Sequence, residues 1–285
     1  MQLVSLPHQI LKCGNHNLDL SQPHVMGILN VTPDSFSDGG LHHQKHDAVN
    51  KALQMIAEGA TIIDIGGEST RPGAAEVSLQ QEIDRVIPVV EALAQQNEQV
   101  IISIDTSQPQ VIQEAVRAGA HIWNDVRALT RPNALQTAAL LNIPVVIMHM
   151  RGEPTTMNDL DQYDDVTQDV MMELQQRIDA ALAAGIHAHN IIVDPGFGFA
   201  KNAAQNFKLL NELYVLNRLG YPILSALSRK RFIGEALQGI PAPQRVIGSV
   251  TGHLLSIQQG ASIVRAHDVK ATVEAIQVWQ AMQQH

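Results

Sequence analysis

The chain has 285 residues, of which 45% are hydrophobic and 16% charged, which describes a globular protein with a large core. Its 19 lysines and arginines against 28 aspartates and glutamates give a formal net charge of −9, so nucleic-acid or membrane-surface binding has no global electrostatic support. The single cysteine, Cys13, excludes an internal disulfide framework and a cysteine-based zinc site. No apolar run approaches the ~18 residues of a transmembrane helix, and the first residues show no signal peptide, so a cytoplasmic protein is expected.

Residues 1–23 carry two short apolar patches around a polar segment at 12–15, which predicts a hairpin-like extension against a barrel floor. From residue 24 onward, short apolar runs alternate with stretches whose apolar residues recur every three or four positions. The predicted strands are 25–30, 61–66, 100–105, 121–125, 144–148, 191–194, 222–228 and 262–265. The predicted helices are 46–58, 79–95, 109–118, 133–141, 163–184, 203–219, 244–259 and 269–282.

Three of these helices are predicted to end at a glycine just before a strand, at Gly59, Gly119 and Gly260. Glycine can take a positive φ at that point without steric cost. Nearly all-apolar strands that alternate with helices predict a parallel sheet covered on both faces. We therefore predict an α/β fold, a (β/α)8 TIM barrel formed by residues 24–285 as a single domain after the 1–23 extension. A doubly wound open sheet is the alternative.

Residues 26–40 run from an apolar strand directly into a polar loop, with Asn30 at the junction. Chemistry in an α/β barrel is located at such strand ends. The polar residues at the predicted strand ends are Asn30, Asp64, Asp105, Asn124, Asp125, His149, Asp194, Ser228, Arg265 and His267. An isolated Asp or Asn there can instead cap the next helix, and Asp105, four residues before Pro109, fits that alternative well. For Asp64, which lies within its strand, ligand contact and a bond to neighbouring backbone are both open.

A basic cluster follows the seventh predicted strand and opens a helix. Three consecutive cations, Arg229, Lys230 and Arg231, are predicted to face one place together with backbone N–H groups, an arrangement that is unfavourable unless an anion offsets it. Arg265 and His267 end the eighth strand, which neighbours the first strand in a closed barrel. Because barrels often bind phosphate at this position, the cluster predicts a phosphate or diphosphate site. Surface basic residues at a helix start are the alternative.

Eight segments carry a resemblance to a known family. They are residues 26–40, Gly66-Gly-Glu-Ser-Thr-Arg-Pro-Gly73, Ile104-Asp-Thr-Ser107, Asn124-Asp125, Met148-His-Met150, Asp194-Pro-Gly-Phe-Gly-Phe199, Ser228-Arg-Lys230 and Arg265-Ala-His-Asp268. In this order, across about residues 24–270, they resemble the dihydropteroate synthases of folate biosynthesis. The resemblance implies a (β/α)8 barrel, Mg²⁺ as cofactor and a homodimer. It also implies condensation of a dihydropterin methyl diphosphate with p-aminobenzoate, both small-molecule partners, to give 7,8-dihydropteroate and diphosphate.

The resemblance implies that Asp105, Asn124 and Asp194 line the pterin slot, since buried carboxylates match the donor edge of that ring. Lys230 would donate to the pterin carbonyl and ring nitrogen. Met148, together with Ile122, would pack on the ring face, with a plain core role for Met148 as the alternative.

Asn30 is implied as the Mg²⁺ ligand, because this ion keeps waters and binds through few protein oxygens plus phosphate. Arg265 and His267 would hold the diphosphate. The same three residues, with Lys230 and Asp38, form the predicted catalytic set. Asp38 would stabilise the developing cation, under cover of Phe36, or alternatively cap a turn. The chain shows no general-base dyad, which fits a reaction driven by electrostatics and positioning.

For p-aminobenzoate, the resemblance implies a closing loop at Thr70, Arg71 and Pro72, with Phe199 flanking the ring. The carboxylate would lie at the helix start after Ser228, at the backbone N–H of Arg231.

Two positions depart from the family pattern: Arg231 stands where many members have Ser, and Ala226 where Gly is common. Affinity for p-aminobenzoate and its sulfonamide mimics is therefore left open. One alternative function is a pterin-binding module of the corrinoid methyltransferase kind, which has no reason to keep a diphosphate cluster. The other is a catalytically retired paralogue, although every position with a family role is compatibly filled.

Overall fold

Eight parallel strands close into a barrel in the computed structural model, which describes residues 6–7, 9–32, 41–68, 77–153 and 156–283. An antiparallel hairpin, β1 (Ile10–Cys13) and β2 (His16–Asp19), precedes them. The barrel strands are β3 (His24–Asn30), β4 (Ile62–Gly66), β5 (Ile101–Asp105), β6 (Ile122–Asp125), β7 (Val145–Met148), β8 (Ile191–Asp194), β9 (Ile223–Ser225) and β10 (Ala261–Ala266). Because β10 pairs with both β9 and β3, the sheet is closed, which confirms the predicted barrel over the open sheet.

Helices between the strands cover the outside of the barrel. They are α1 (Leu41–Ala57), α2 (Leu79–Gln96), α3 (Pro109–Ala118), α4 (Ala134–Leu141), α5 (Val166–Ala183), α6 (Ala203–Asn211), α7 (Arg231–Ala236), α8 (Val246–Gln258) and α9 (Val269–Gln283). Gly59, Gly119 and Gly260 have φ of 101°, 114° and 101°, so the predicted helix stops are confirmed. None of the helices in the described parts of the chain combines the length and apolarity needed to cross a membrane.

Two predicted elements were too long. The helix predicted over 203–219 ends as α6 at Asn211 and continues as a 3-10 helix, Leu213–Leu219. There the Asn217 side chain donates to the carbonyls of Tyr214 and Gln259, both at 3.0 Å, and so competes with regular helical bonding. The strand predicted over 222–228 ends at Ser225, because the chain turns towards Arg229, whose φ is +58°.

The hairpin plugs the N-terminal end of the barrel. Leu11, Cys13 and Leu20 are completely buried and belong to one apolar cluster with the lower inward-facing strand residues, among them Met26 and Ile62. A single contact layer of this kind removes apolar surface of both hairpin and strands from water. The predicted hairpin-like extension is thus part of the barrel core.

Alternation along the strands separates this apolar floor from a polar upper layer. Successive side chains point to opposite faces of a strand, so the position two residues after an inward-facing residue also faces inward. Cα pairing places Asn30 beside Gly66, Gly66 beside Asp105, and Asp105 beside Asn124, in one row around the barrel. Asn30, Asp105 and Asn124 therefore meet at the C-terminal mouth.

Candidate active site

Arg265 lies between two carboxylates at the centre of the barrel mouth. Its Nε donates to Asp64 Oδ2 at 2.6 Å and its Nη2 to Asp105 Oδ2 at 2.8 Å. Asn124 Nδ2 also donates to Asp64 Oδ2, at 3.0 Å. The Asp64 side chain is fully buried and that of Arg265 is 16% exposed, so these charges are largely desolvated. One guanidinium thus ties β4, β5 and β10 together.

The Asp105 carboxylate points into the barrel and caps no helix. The N-cap of α3 is Gln108, without a side-chain capping bond, so the capping alternative for Asp105 is wrong. Burial raises the pKa of Asp105 to about 7, although the charge of Arg265 opposes that rise.

Asp64 also belongs to the site, which strand-end reasoning left open. Its Oδ1 is buried without a hydrogen-bond partner among the described residues. Such an acceptor is expensive unless a ligand donor or water reaches it. The signal for Asp64 was its place in the inward row, two residues after Ile62 and two before Gly66.

Asp194 and Lys230 form the opposite wall of the mouth. Asp194 Oδ1 accepts from the backbone N–H of Gly196 at 2.7 Å, and burial raises its pKa while Lys230 opposes the rise. Lys230 Nζ donates to the Phe197 carbonyl and lies 4.5 Å from the centroid of the Phe199 ring. Burial lowers the pKa of Lys230 to about 8, and Asp194 acts against that shift. A lysine held this way is available to a ligand carbonyl or ring nitrogen.

The basic cluster does not converge, so the prediction that three cations face one place is wrong. Arg229 pairs with Asp268 through Nε at 2.9 Å, and Arg231 is 73% exposed and pairs with Glu235 at 3.1 Å. The reason is the left-handed turn at Arg229, which sends alternate side chains away from the barrel axis. Of the three cations, only Lys230 faces Asp194. The helix α7, which begins at Arg231, has only six residues.

His267 follows β10 and contacts Ser228. The Ser228 hydroxyl oxygen accepts from the His267 backbone N–H at 3.1 Å and lies 3.0 Å from the ring Nδ1. The neighbouring relation of the first and last barrel strands is confirmed, with Arg265 opposite Met26 in the ladder. Asn30 ends β3 at this edge and is half-buried.

The structure describes some of the remaining predicted site residues and not others. Met148 is 3% exposed and pairs in register with Asp194, while Ile122 lies one layer deeper, in the apolar floor. Asp125 faces away from the mouth and binds Ser107 and backbone N–H groups. The predictions for Phe36, Asp38, Thr70, Arg71 and Pro72 concern positions outside the described residues.

Strand-end reasoning missed Lys201, a buried lysine in the segment after β8, because it lies on neither a strand nor a helix start. The described residues contain no cluster of three histidine, cysteine or acidic side chains suited to a metal ion. The candidate metal ligand from the sequence, Asn30, is a single neutral amide.

Comparison with known proteins agrees with this geometry. The profile of the family described as "Pterin binding enzyme" matches residues 26–267. The dihydropteroate synthase of Escherichia coli K12 is 53% identical over 265 residues, which cover 93% of each chain. A dihydropteroate synthase of Xanthomonas albilineans solved with 4-aminobenzoic acid is 50% identical, with a TM-score of 0.92 and coverage of 97% and 99%. The same enzyme in complex with 7,8-dihydropteroate gives 48% identity, a TM-score of 0.88 and coverage of 96% and 98%. The chain therefore belongs to the pterin-binding enzyme family and, within it, to the dihydropteroate synthases.

Proposed function

We propose that this chain condenses (7,8-dihydropterin-6-yl)methyl diphosphate with p-aminobenzoate to give 7,8-dihydropteroate and diphosphate, a step of tetrahydrofolate biosynthesis. The main support is the arrangement of side chains at the barrel mouth. There Asp64, Asp105 and Asn124 face Asp194 and Lys230 across Arg265, which is largely desolvated. Relatives of about half-identical sequence, solved with 4-aminobenzoic acid and with 7,8-dihydropteroate, support it.

The pterin slot is formed by Asp105, Asn124 and Asp194, with Met148 against the ring. A pterin presents adjacent amino and ring N–H donors, and a carboxylate or amide oxygen accepts from such an edge. Lys230 is the matching donor for the pterin carbonyl and ring nitrogen, because its ammonium already lies beside Asp194.

Arg265 and His267 hold the diphosphate. The guanidinium uses Nε and Nη2 on carboxylates, and its Nη1 group makes no hydrogen bond to the described residues. Asp64 and Asp105 offset the positive charge of Arg265. Its role towards the diphosphate is therefore to donate hydrogen bonds in a fixed direction more than to supply net positive charge. His267 lies two residues further along the same chain segment.

The residues present fit a Mg²⁺ ion that arrives with the diphosphate. Asn30 offers one hard oxygen at the strand end, and the described residues provide no acidic cluster that would bind the ion by themselves. Asn30 would hold such an ion together with its waters and the substrate, because Mg²⁺ binds through few protein oxygens. When bound, Mg²⁺ would neutralise charge that develops on the leaving diphosphate.

The arylamine lies nearer the rim, between Phe199 and the segment at Ser228. Its carboxylate would meet the backbone N–H of Arg231, and Thr70, Arg71 and Pro72 would close over it. These placements remain predictions from the family pattern. In the reaction, the bond from the pterin methylene carbon to diphosphate oxygen breaks and a carbon–nitrogen bond to the arylamine forms. The amine then loses one proton to solvent or to diphosphate, so no strong protein base is required.

Diphosphate release tests the proposal and separates it from the methyltransferase-type alternative. The purified protein is incubated with pterin diphosphate and Mg²⁺, with and without p-aminobenzoate, and both diphosphate and dihydropteroate are measured. Dihydropteroate in stoichiometric amount with diphosphate is the expected result. Pterin binding without release of diphosphate would identify a binding module, and neither binding nor release would identify a retired paralogue.

We also propose that the chain acts as a cytoplasmic homodimer, with residues 24–285 as the catalytic unit. Ile247 on α8 is 82% exposed, and Val278 and Met282 on α9 are 73% and 58% exposed. Ile247→Asp should convert a dimer into a monomer in sedimentation velocity. Leu140→Asp is the matched control, because Leu140 is 83% exposed on α4, on the far side of the closed barrel. A species of unchanged mass for Ile247→Asp would reject this surface.

A further inference from the structure

Lys201 is a buried lysine that no step of the proposed chemistry uses. It is 6% exposed and lies in the loop between β8 and α6, which we call the 195–202 loop. Its Nζ lies 2.9 Å from His149 Nδ1 and donates to the carbonyls of Gly196 and Phe199, both at 3.0 Å. Burial lowers the pKa of Lys201 to about 7, and in the protonated form each of its three N–H groups has one acceptor here.

The 195–202 loop needs such support because its backbone is unusual. Gly196, Gly198 and Ala200 have φ of 68°, 77° and 49°, and a positive φ at alanine carries strain. A Cβ built on Gly196 would lie 1.9 Å from the His149 carbonyl oxygen, so the loop packs directly on the chain after β7. Lys201 bonds two carbonyls of this loop and thereby fixes its curvature.

The same loop carries the groups that contact Lys230. The Phe197 carbonyl accepts from Lys230 Nζ, and the Phe199 ring lies beside that ammonium. Lys201 holds the carbonyls of Gly196 and Phe199, which lie on either side of Phe197 and include the residue with the aromatic ring, and Asn206 holds the backbone N–H of Gly198 between them. Lys201 Nζ itself bonds His149 and the two loop carbonyls.

The hydrogen bonds that start at Lys201 lead through His149 to the helix α5. With His149 Nδ1 as acceptor, the ring proton is on Nε2, which donates to Glu173 Oε2 at 2.9 Å. Burial raises the pKa of Glu173, but hydrogen bonds from His149 and Arg151 outweigh it and bring the pKa to about 2. Glu173 is a residue of α5, so the loop is anchored through Lys201 and His149 to a rigid element.

We propose that Lys201 is a positioning residue for the arylamine: through the 195–202 loop it holds the Phe199 ring and the Phe197 carbonyl in the geometry that the second substrate requires. This inference rests on the proposed function. Asp105, Asn124 and Asp194 of the pterin slot lie on strands, whereas the Phe199 ring is part of the loop itself, so the arylamine should depend on Lys201 more than the pterin does.

The test is the steady-state kinetics of Lys201→Met, a replacement of similar length without donors. The KM for p-aminobenzoate should rise by about 10- to 100-fold, the usual effect of removing a group that orients a ligand-contacting residue. The KM for the pterin diphosphate and kcat should change much less. Lys208→Met is the matched control, because Lys208 is an exposed lysine on α6 that pairs with Glu212.

A second readout follows His149 directly. In the wild-type protein, the imidazole ¹⁵N and ¹H signals of His149, assigned with a His149→Gln variant, should show an Nε2–H tautomer with an accepting Nδ1. The Nδ1 signal should shift in Lys201→Met and stay unchanged in Lys208→Met. If Lys201→Met does not fold, Lys201→Gln, which keeps an NH₂ donor group at shorter reach, gives the same comparison with a smaller rise in KM.

The outcomes separate the two proposals. Turnover by the wild type and by Lys208→Met, with an unchanged arylamine KM in a folded Lys201→Met, would overturn the role of Lys201 alone. Equal rises in the KM of both substrates would also overturn it, because they would indicate general damage to the mouth. No turnover by the wild type would overturn the proposed function and this inference with it.

Discussion

Replacing Arg265 by methionine should destabilise the fold strongly, because it leaves two buried carboxylates without their cation. The side chains of Asp64 and Asp105 are 0% and 11% exposed, and both bond the guanidinium at under 3 Å. Breaking a buried ion pair on one side costs about 3–5 kcal/mol, and the near-complete burial of this triad places the expected loss in that range. The measurement is urea unfolding followed by far-UV circular dichroism.

The stability lost in Arg265→Met should also depend on pH. Without Arg265, the pKa of Asp105 should rise above its present value of about 7, whereas in the unfolded chain it is ordinary. A carboxyl whose pKa is raised by folding favours the folded state while protonated, and this stability is lost as the pH rises through the folded pKa. Since the wild type shares the raised pKa of Asp105 up to about 7, the deficit of Arg265→Met should be smaller at about pH 5.5 than at about pH 8, and should grow only above about pH 7, by up to ~1.4 kcal/mol per pH unit.

Two further variants test whether the stability loss comes from the carboxylates that Arg265 pairs with. Asp64→Asn combined with Arg265→Met should recover much of the loss near pH 8, because one uncompensated charge disappears. Arg117→Met removes a surface pair with Glu114 and should cost less than about 1 kcal/mol. A loss for Arg265→Met that matches Arg117→Met, or one that is equal at both pH values, would show that the buried carboxylates do not depend on Arg265.

Three other predictions concern the mouth and its loop. Lys230→Met should weaken binding of the pterin diphosphate in calorimetry, and wild-type affinity should fall as the pH rises through about 8, where the ammonium is lost; an equal fall in the variant would assign it to another group. Asn30→Ala should raise the Mg²⁺ concentration for half-maximal diphosphate release without lowering the melting temperature, and an unchanged requirement would remove Asn30 from the metal site. Gly196→Ala should cost about 3 kcal/mol or more, since it combines a positive φ with a clash against His149. Gly220→Ala, with φ of 80° and open space around it, should cost only about 1–2 kcal/mol, and equal losses would refute the clash.

The barrel and most of its mouth could be predicted from local patterns. Strand positions follow from short apolar runs, and the inward direction of Asp105, Asn124 and Asp194 follows from alternation along each strand. For these residues, the local sequence pattern is enough to predict which face of the strand the side chain lies on.

The pairing of charges at the mouth could not be predicted in this way. Arg265 is 201 residues from Asp64 and 160 from Asp105 in sequence, so their contact depends on the register of three strands. Arg229 and Arg231 were assigned to one face with Lys230 because neighbouring residues at a helix start usually share an end. A left-handed residue at 229 separates them, and arginine is a residue for which local pattern gives no warning of that conformation.

The hairpin below the barrel has a consequence for the order of events during turnover. Leu11, Cys13 and Leu20 close the N-terminal end of the barrel, so we expect both reactants to enter from the C-terminal mouth. Two reactants that share one opening must enter in sequence, and the one that binds deeper must come first. We therefore expect the pterin, whose proposed slot lies at the level of Asp64 and Asn124, to precede the arylamine at the rim. Product, which would span both levels, is then expected to leave by the route through which the arylamine arrived.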